Sequence, residues 1–370
     1  MKIIEAISDT NIGGAGVLLI NRLSNTDLNK YPTLVVVPRG SVLCQRLEAI
    51  GVDYVEADCD GDISFDHKAI KIYKRIFKEN TPDIVNCHGC LSARIAAKMC
   101  RVPIKICTRH CVFPVKKRDR AWGFFNNYIS DSFIAVAYAA KDNLLELGID
   151  EEKINVIING SRALRKIDAD EKKRLKQDLN IDESTTVIGL SARLEKCKGH
   201  EWFLQSVKIL SKHGMNFKVL LLGDGTQRQR LGELCRELGI NESVIFCGFV
   251  EDVSPFMNIV DININCSIGT ETSSLALSEG MSLGIPAVVS DYGGNPYMIK
   301  HGENGFVCKC FDSSEMAEYI ERLANDRDLY AQMSEKAYQR FCTELNAEAM
   351  TKKTNQLYDK LWRAYRRAEN

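Results

Sequence analysis

Short β-branched apolar runs alternate with amphipathic stretches from one end of this chain to the other, and that alternation narrows its fold further than any other feature. Segments 2–7, 33–37, 83–86, 105–108, 132–136 and 154–158 have the length and the apolar content of buried strands. Between them, 16–23, 42–50, 67–77 and 91–100 carry apolar residues at helical spacing. A second series follows, with strand-like runs at 186–191, 218–223, 244–246, 261–265 and 287–290. Strands separated by helices pair in parallel, and parallel sheets are covered on both faces. The expected fold class is therefore α/β, with two doubly wound, Rossmann-like domains. A chain of 370 residues has room for both.

The break between the two series falls near 159–170. The turn pair Asn159 and Gly160 leads into a charged segment, 162–176, without strand character. The expected domains are 1–165 and 166–346. The final stretch, 347–370, reads as a long helix with no strand after it.

Charge and composition exclude several classes. Lys plus Arg and Asp plus Glu are equal at 49 each, so no global field draws nucleic acid to this chain. No apolar run approaches the roughly 20 residues that span a bilayer. The first residues lack the apolar core of a signal peptide. A cytoplasmic protein is expected, with any membrane contact peripheral on the inner face. The 14 cysteines are scattered through strand and helix patterns, as reduced, buried thiols are. Cys87, His88 and Cys90, with Cys107, His110 and Cys111 further on, have one spacing found in zinc sites. No second such pair follows, so thiols that happen to lie on adjacent strand ends account for the cluster better than a metal does. Neither a metal nor a cofactor is expected.

Open α/β sheets bind ligands at the C-terminal ends of their strands. Four strand-to-helix turns therefore carry the candidate chemistry. At Gly13, Gly14 and Ala15 the backbone can approach an anion and a helix start can point amides at it, although a plain tight turn needs similar residues. Arg193 and Lys198 place two cations beside a helix start, which suits a diphosphate; singly, either is an ordinary surface charge. Gly223 and Asp224 form a turn that a nucleotide could lie beside. Glu271 precedes a helix and Glu279 lies within it. The amides of Thr272, Ser273, Ser274 and Leu275, expected to be exposed, lie between them. Such a turn can hold a sugar hydroxyl on Glu271, a phosphate on the amides and a ribose diol on Glu279. A first-turn carboxylate also complements the helix dipole, but that does not explain Glu279 within a helix of small, apolar residues.

In this order the pieces resemble the retaining glycosyltransferases of family 4, which have the GT-B fold. The resemblance covers nearly the whole chain. It rests on the glycine loop, on 138–160 ending in Asn159 and Gly160, on Arg193 with Lys198 and Gly199, and on Gly223, Asp224 and Gly225. It continues through Glu271 with Glu279, Gly284 to Pro286, and Ser290 to Pro296. It implies two Rossmann-like domains whose parallel sheets face each other across a cleft, with the last helix crossing back to the first domain. It implies that Arg193 and Lys198 bind the donor diphosphate, Glu271 the transferred sugar and Glu279 the ribose. Gly14 would approach the diphosphate from the first domain, and His110, with His88 as the alternative, would lie near the reacting sugar. The donor implied is a nucleotide sugar, a UDP-sugar ahead of a GDP-sugar, transferred with retention and without metal. Two departures stand out: Thr272, Ser273 and Ser274 follow Glu271 where the family often has Gly or Pro, and Tyr138 replaces a common serine.

The acceptor falls to the first domain. Residues 94–120 carry nine Lys or Arg and one acidic residue. Lys116, Lys117 and Arg118, followed by Trp122, Phe124 and Phe125, fit docking on an anionic membrane, or else form a solvated basic loop. A lipid-linked or saccharide acceptor in cell-surface polysaccharide or glycoconjugate synthesis is expected. The alternatives are a sugar-nucleotide epimerase of the same fold and a non-catalytic nucleotide-sugar-binding subunit. Against the latter stands the intact set Arg193, Lys198, Glu271 and Glu279.

Overall fold

The computed structural model describes residues 1–369 except Asn11, Ile12, Asp60, Asp62, Phe113, Lys117, Arg118 and Thr270, and except the side chain of Ala121. The chain divides into two compact units, one of Met1–Ser161 with Ala347–Asn370, the other of Arg162–Asn346.

The first unit holds a seven-stranded sheet of β1 (Ile3–Ile7), β2 (Thr33–Pro38), β3 (Tyr54–Ala57), β4 (Ile84–His88), β5 (Ile104–Arg109), β6 (Ser132–Ala135) and β7 (Ile154–Val156). Every pairing is parallel, in the order β3-β2-β1-β4-β5-β6-β7. All five residues of β1 are buried, as a central strand covered on both faces requires. Ile4, Ala6, Val85 and Phe77 pack on one face, and Ile7, Val35, Leu19 and Leu47 on the other. Full burial of such side chains contributes about 1.5–3 kcal/mol each. The edge strand β3 was not expected from sequence. It is four residues long and only Ala57 is buried, so it carries little apolar pattern.

Helix Ala347–Glu369 packs within this unit. Its buried residues Ala347, Met350, Thr351, Thr354, Leu357 and Tyr358 recur at three- and four-residue spacing, one helical stripe. Where the chain re-enters the unit, Ala347 N–H donates to Ser161 O at 2.9 Å.

The second unit holds β8 (Thr186–Ser191), β9 (Phe217–Leu222), β10 (Val244–Gly248), β11 (Ile262–Asn265), β12 (Ala287–Ser290) and β13 (Gly305–Cys308). These strands are also all parallel, in the order β10-β9-β8-β11-β12-β13. Phe203, Leu204 and Val207 of helix His200–Lys212 pack with Leu190, Val219, Leu221 and Ile264 in its main core. Strand β13, again at an edge, was not expected. Both sheets are of the doubly wound α/β class. Strand order reverses between β1 and β4 in one and between β8 and β11 in the other, and such switch points open the crevices where ligands bind. Among the described residues no helix is long and apolar enough to cross a membrane.

Candidate active site

At the switch point of the second unit, the loops after β8 and β11 touch. Gly199 has φ of 73°, and a Cβ there would lie 1.9 Å from Cys266 O, so only glycine lets the two loops come this close. The contact sets Lys198 Nζ 2.8 Å from Glu271 Oε2. Glu271 is buried, and Ser267 Oγ at 2.9 Å and Asn265 Nδ2 at 3.2 Å donate to that same oxygen. Among the described residues, nothing bonds to Oε1. The ammonium has three protons and gives one to Glu271, so it can still donate to an anion. Gly294 holds the loop from behind: a Cβ on it would sit 1.6 Å from Thr272 O. Asn295, fully buried, then donates to Asn265 Oδ1 at 3.3 Å and to Ser290 Oγ at 3.1 Å. Asn265, Ser267 and Asn295 were not singled out as site residues from sequence. For Asn265 and Ser267 the sign was polar residues at and just after the end of an apolar strand; Asn295 starts the short helix Asn295–Met298.

Arg193 is exposed on the neighbouring loop. Leu194 N–H donates to Asp224 O at 2.9 Å and Gly223 N–H to Gly248 O at 2.7 Å, which ties the loops after β8, β9 and β10 together. Asp224 Oδ1 is taken by the amide of Gly225 at 2.8 Å. His200, which follows the glycine, is buried, and burial and Lys198 push it down to about 4. It therefore stays neutral and leaves the positive charge to Lys198.

Helix Leu275–Ser282 begins beside Glu271. The expectation of exposed amides from Thr272 to Leu275 needs correction. Thr272 and Ser274 are buried. Ser274 N–H donates to Met298 Sδ at 3.2 Å, and Ser274 Oγ caps the helix by accepting from Leu277 N–H at 3.3 Å. Ser273 and Leu275 are half-buried. Glu279 has no side-chain partner among the described residues, and burial raises its carboxyl to about 7.

In the first unit, Gly13 and Gly14 are exposed at the start of helix Gly14–Leu23, with Ala15 half-buried, and among the described residues no side chain caps that helix. His88 ends β4 and His110 follows β5. The two alternatives of the sequence reading form one pair, His88 Nδ1 lying 2.8 Å from His110 Nε2. Behind them Glu5, fully buried in β1, meets His88 Nε2 at 2.8 Å, Asn86 Nδ2 at 2.9 Å, Tyr358 Oη at 2.8 Å and the guanidinium of Arg22. Burial alone would raise Glu5, but Arg22, His88 and Tyr358 outweigh it and hold the carboxyl at about 2. Burial and His88 push His110 down to about 3.

Cys87 and Cys90 lie in one apolar cluster and Cys107 in another. Among the described residues, no three His, Cys, Asp or Glu side chains come together as a metal site. The basic stretch 94–120 does not form a single surface. Arg94 is buried and donates to Asn126 Oδ1 at 2.7 Å, and Lys105 is buried with its ammonium 2.7 Å from Asp131. Lys116, Trp122 and Phe124 are exposed, whereas Phe125 is half-buried; Lys117 and Arg118 lie outside the described residues.

Comparison with known proteins matches each unit. The family model described as Glycosyl transferases group 1 covers residues 171–340, and that of Glycosyltransferase Family 4 covers 12–161. The UDP-Gal:alpha-D-GlcNAc-diphosphoundecaprenol alpha-1,3-galactosyltransferase of Escherichia coli is 26% identical over 275 residues, covering 70% of each chain. The N-acetyl-alpha-D-glucosaminyl L-malate synthase of Bacillus anthracis is 26% identical over 232 residues, covering 62% of this chain and 59% of that one. The crystal structure of Anabaena Alr3699/HepE in complex with UDP has the same fold, with a TM-score of 0.86 at 20% identity over 97% of this chain and all of that one.

Proposed function

Because this chain belongs to the glycosyltransferases, family 4 by its first unit and group 1 by its second, with the GT-B fold, we propose that it transfers a sugar from UDP-sugar to a lipid-linked or saccharide acceptor. The observation that carries this reading is the Lys198–Glu271 contact at the switch point of the second unit. It sets a cation for phosphate beside a carboxylate whose other oxygen, unbonded among the described residues, suits a sugar hydroxyl. Glu279, desolvated and unpartnered among the described residues, suits the ribose diol. UDP is preferred over GDP because the Anabaena protein binds UDP and the E. coli relative is named for a UDP-sugar donor. That relative's diphosphoundecaprenol acceptor favours a lipid-linked acceptor here.

The resemblance supports transfer with retention, in which the diphosphate departs and the acceptor attacks on the same face. In this reading Arg193 and Lys198 stabilise the charge of the leaving diphosphate, a task that a metal performs elsewhere. The exposed amides at Gly13 and Gly14 add donors for an anion. Trp122 and Phe124, exposed on helix Arg120–Ile129, and Lys116 beside them support a peripheral seat on an anionic membrane.

Calorimetric titration with UDP-, GDP- and ADP-sugars tests the donor assignment. The expected result is binding of a UDP-sugar in preference to the others. Preference for another base overturns the choice of UDP, and release of an altered free sugar without acceptor points to an epimerase.

A further inference from the structure

The buried cluster of the first unit fixes where its protons lie. Glu5 is a carboxylate and can only accept. Asn86 Nδ2 has two protons, and its nearest acceptors are Glu5 Oε2 at 2.9 Å and Tyr358 Oη at 3.1 Å. Thr108 Oγ1 donates to Asn86 Oδ1 at 2.8 Å, which fixes the orientation of the amide. At 3.4 Å from His88 Nε2, the amide therefore has no proton left for that ring nitrogen. Tyr358 Oη donates to Glu5 Oε1. His88 Nε2, 2.8 Å from Glu5 Oε2, must then be the donor. Glu5 and Arg22 already balance each other in charge, and an added cation in this buried site would be unpaired. With His88 neutral and protonated on Nε2, its Nδ1 is an acceptor, so the 2.8 Å contact with His110 is filled by the proton on His110 Nε2.

We propose that Glu5 is a positioning residue: through His88 it fixes His110 as the neutral Nε2–H tautomer, so that His110 Nδ1 can only accept a hydrogen bond. The role in transfer rests on the resemblance, which implies that His110 lies near the reacting sugar; the proton assignment does not. An accepting Nδ1 suits a sugar hydroxyl, which donates, and excludes a cationic acid at this position. Tyr358 brings the C-terminal helix into the same arrangement. It is 353 positions from Glu5 in sequence, and its hydroxyl secures Glu5 Oε1 while Oε2 faces His88.

Histidine-selective ¹⁵N labelling of the full chain, read by long-range ¹H–¹⁵N correlation, reports which ring nitrogen carries each proton. The wild type should show His88 and His110 both protonated on Nε2. In Glu5→Gln, Arg22 and Tyr358 claim the amide oxygen and the amide nitrogen faces His88. The chain should then reverse, with His110 protonated on Nδ1, turnover falling at least tenfold and UDP affinity changing less than threefold. His110 protonated on Nδ1 in the wild type overturns the proposal. So does an unchanged pattern in a folded Glu5→Gln, or a reversed pattern with unchanged turnover. Should Glu5→Gln fail to fold, the wild-type spectrum decides the assignment. Tyr358→Phe, which keeps the carboxylate, should then keep both tautomers, and a reversed pattern in it counts against the proposal. If the wild type shows the expected tautomers but no nucleotide sugar is bound or turned over, the glycosyltransferase reading falls and the proton assignment stands.

Discussion

Lys198 Nζ and Glu271 Oε2 lie 2.8 Å apart across the switch point of the second sheet, although 73 positions separate them in sequence. Two donors besides the ammonium converge on the same oxygen, so Glu271 is held in one orientation with its other oxygen unbonded among the described residues. The pair should divide its work. Lys198→Met removes a charge-assisted bond to phosphate and should weaken UDP binding by about 1.5–3 kcal/mol. Glu271→Gln should bind UDP within threefold of the wild type and lose most of its turnover. Calorimetry with UDP, alongside turnover of the preferred donor, checks both, and equal UDP affinity in the Lys198 variant contradicts the assignment.

Glu279 makes the nucleotide affinity depend on pH. Burial raises its carboxyl to about 7, so it passes from mostly protonated to mostly ionised between about pH 6 and 8. Its folded value is above the unfolded value of 4.5, so stability falls as pH rises from about 4.5 to about 7 and levels off above that, where both states are ionised. The ionised form accepts from both ribose hydroxyls, and UDP affinity should rise between about pH 6 and 8. Glu279→Ala should lose about 1.5–3 kcal/mol of binding at the upper end. The slope should vanish with it. A slope that persists in the variant belongs to another group.

Activity should survive chelation. Arg193 and Lys198 supply the positive charge in this account, so EDTA should leave turnover unchanged. Loss restored by magnesium or manganese would place a metal at the diphosphate. Loss restored only by zinc would return attention to Cys87, Cys90 and Cys107.

Liposome cosedimentation at low salt tests the membrane seat. Anionic vesicles should bind the protein more than neutral ones. Replacing Lys116, Lys117 and Arg118 with Ser should weaken that binding by about 1 kcal/mol per charge at most. UDP affinity should stay the same. Indifference to lipid charge would indicate a soluble acceptor.

Much of this architecture was legible because the chemistry of the second unit is local. Arg193 and Lys198 follow one strand and Glu271 another, and polar residues at the end of an apolar run are visible in any window of sequence. The edge strands β3 and β13 were missed: β3 is four residues with only Ala57 buried, and β13, though apolar and mostly buried, is a four-residue run flanked by polar residues. The Glu5 cluster was illegible for a different reason. Its members come from β1, helix Gly14–Leu23, β4, the segment after β5 and helix Ala347–Glu369, so only the folded chain assembles them. One sign was present, a glutamate in the middle of the apolar run 3–7. The basic stretch misled in part, because Arg94 and Lys105 find internal partners that composition does not reveal.

Donor turnover without acceptor tests the central claim most directly. The purified chain is incubated with its preferred UDP-sugar, and UDP release is followed together with the anomeric proton of the freed sugar. Slow hydrolysis is expected, releasing first the same anomer that the donor carried, and abolished in Lys198→Met. Release of the opposite anomer would contradict retention. A folded chain that neither binds nor turns over any nucleotide sugar would contradict the account as a whole.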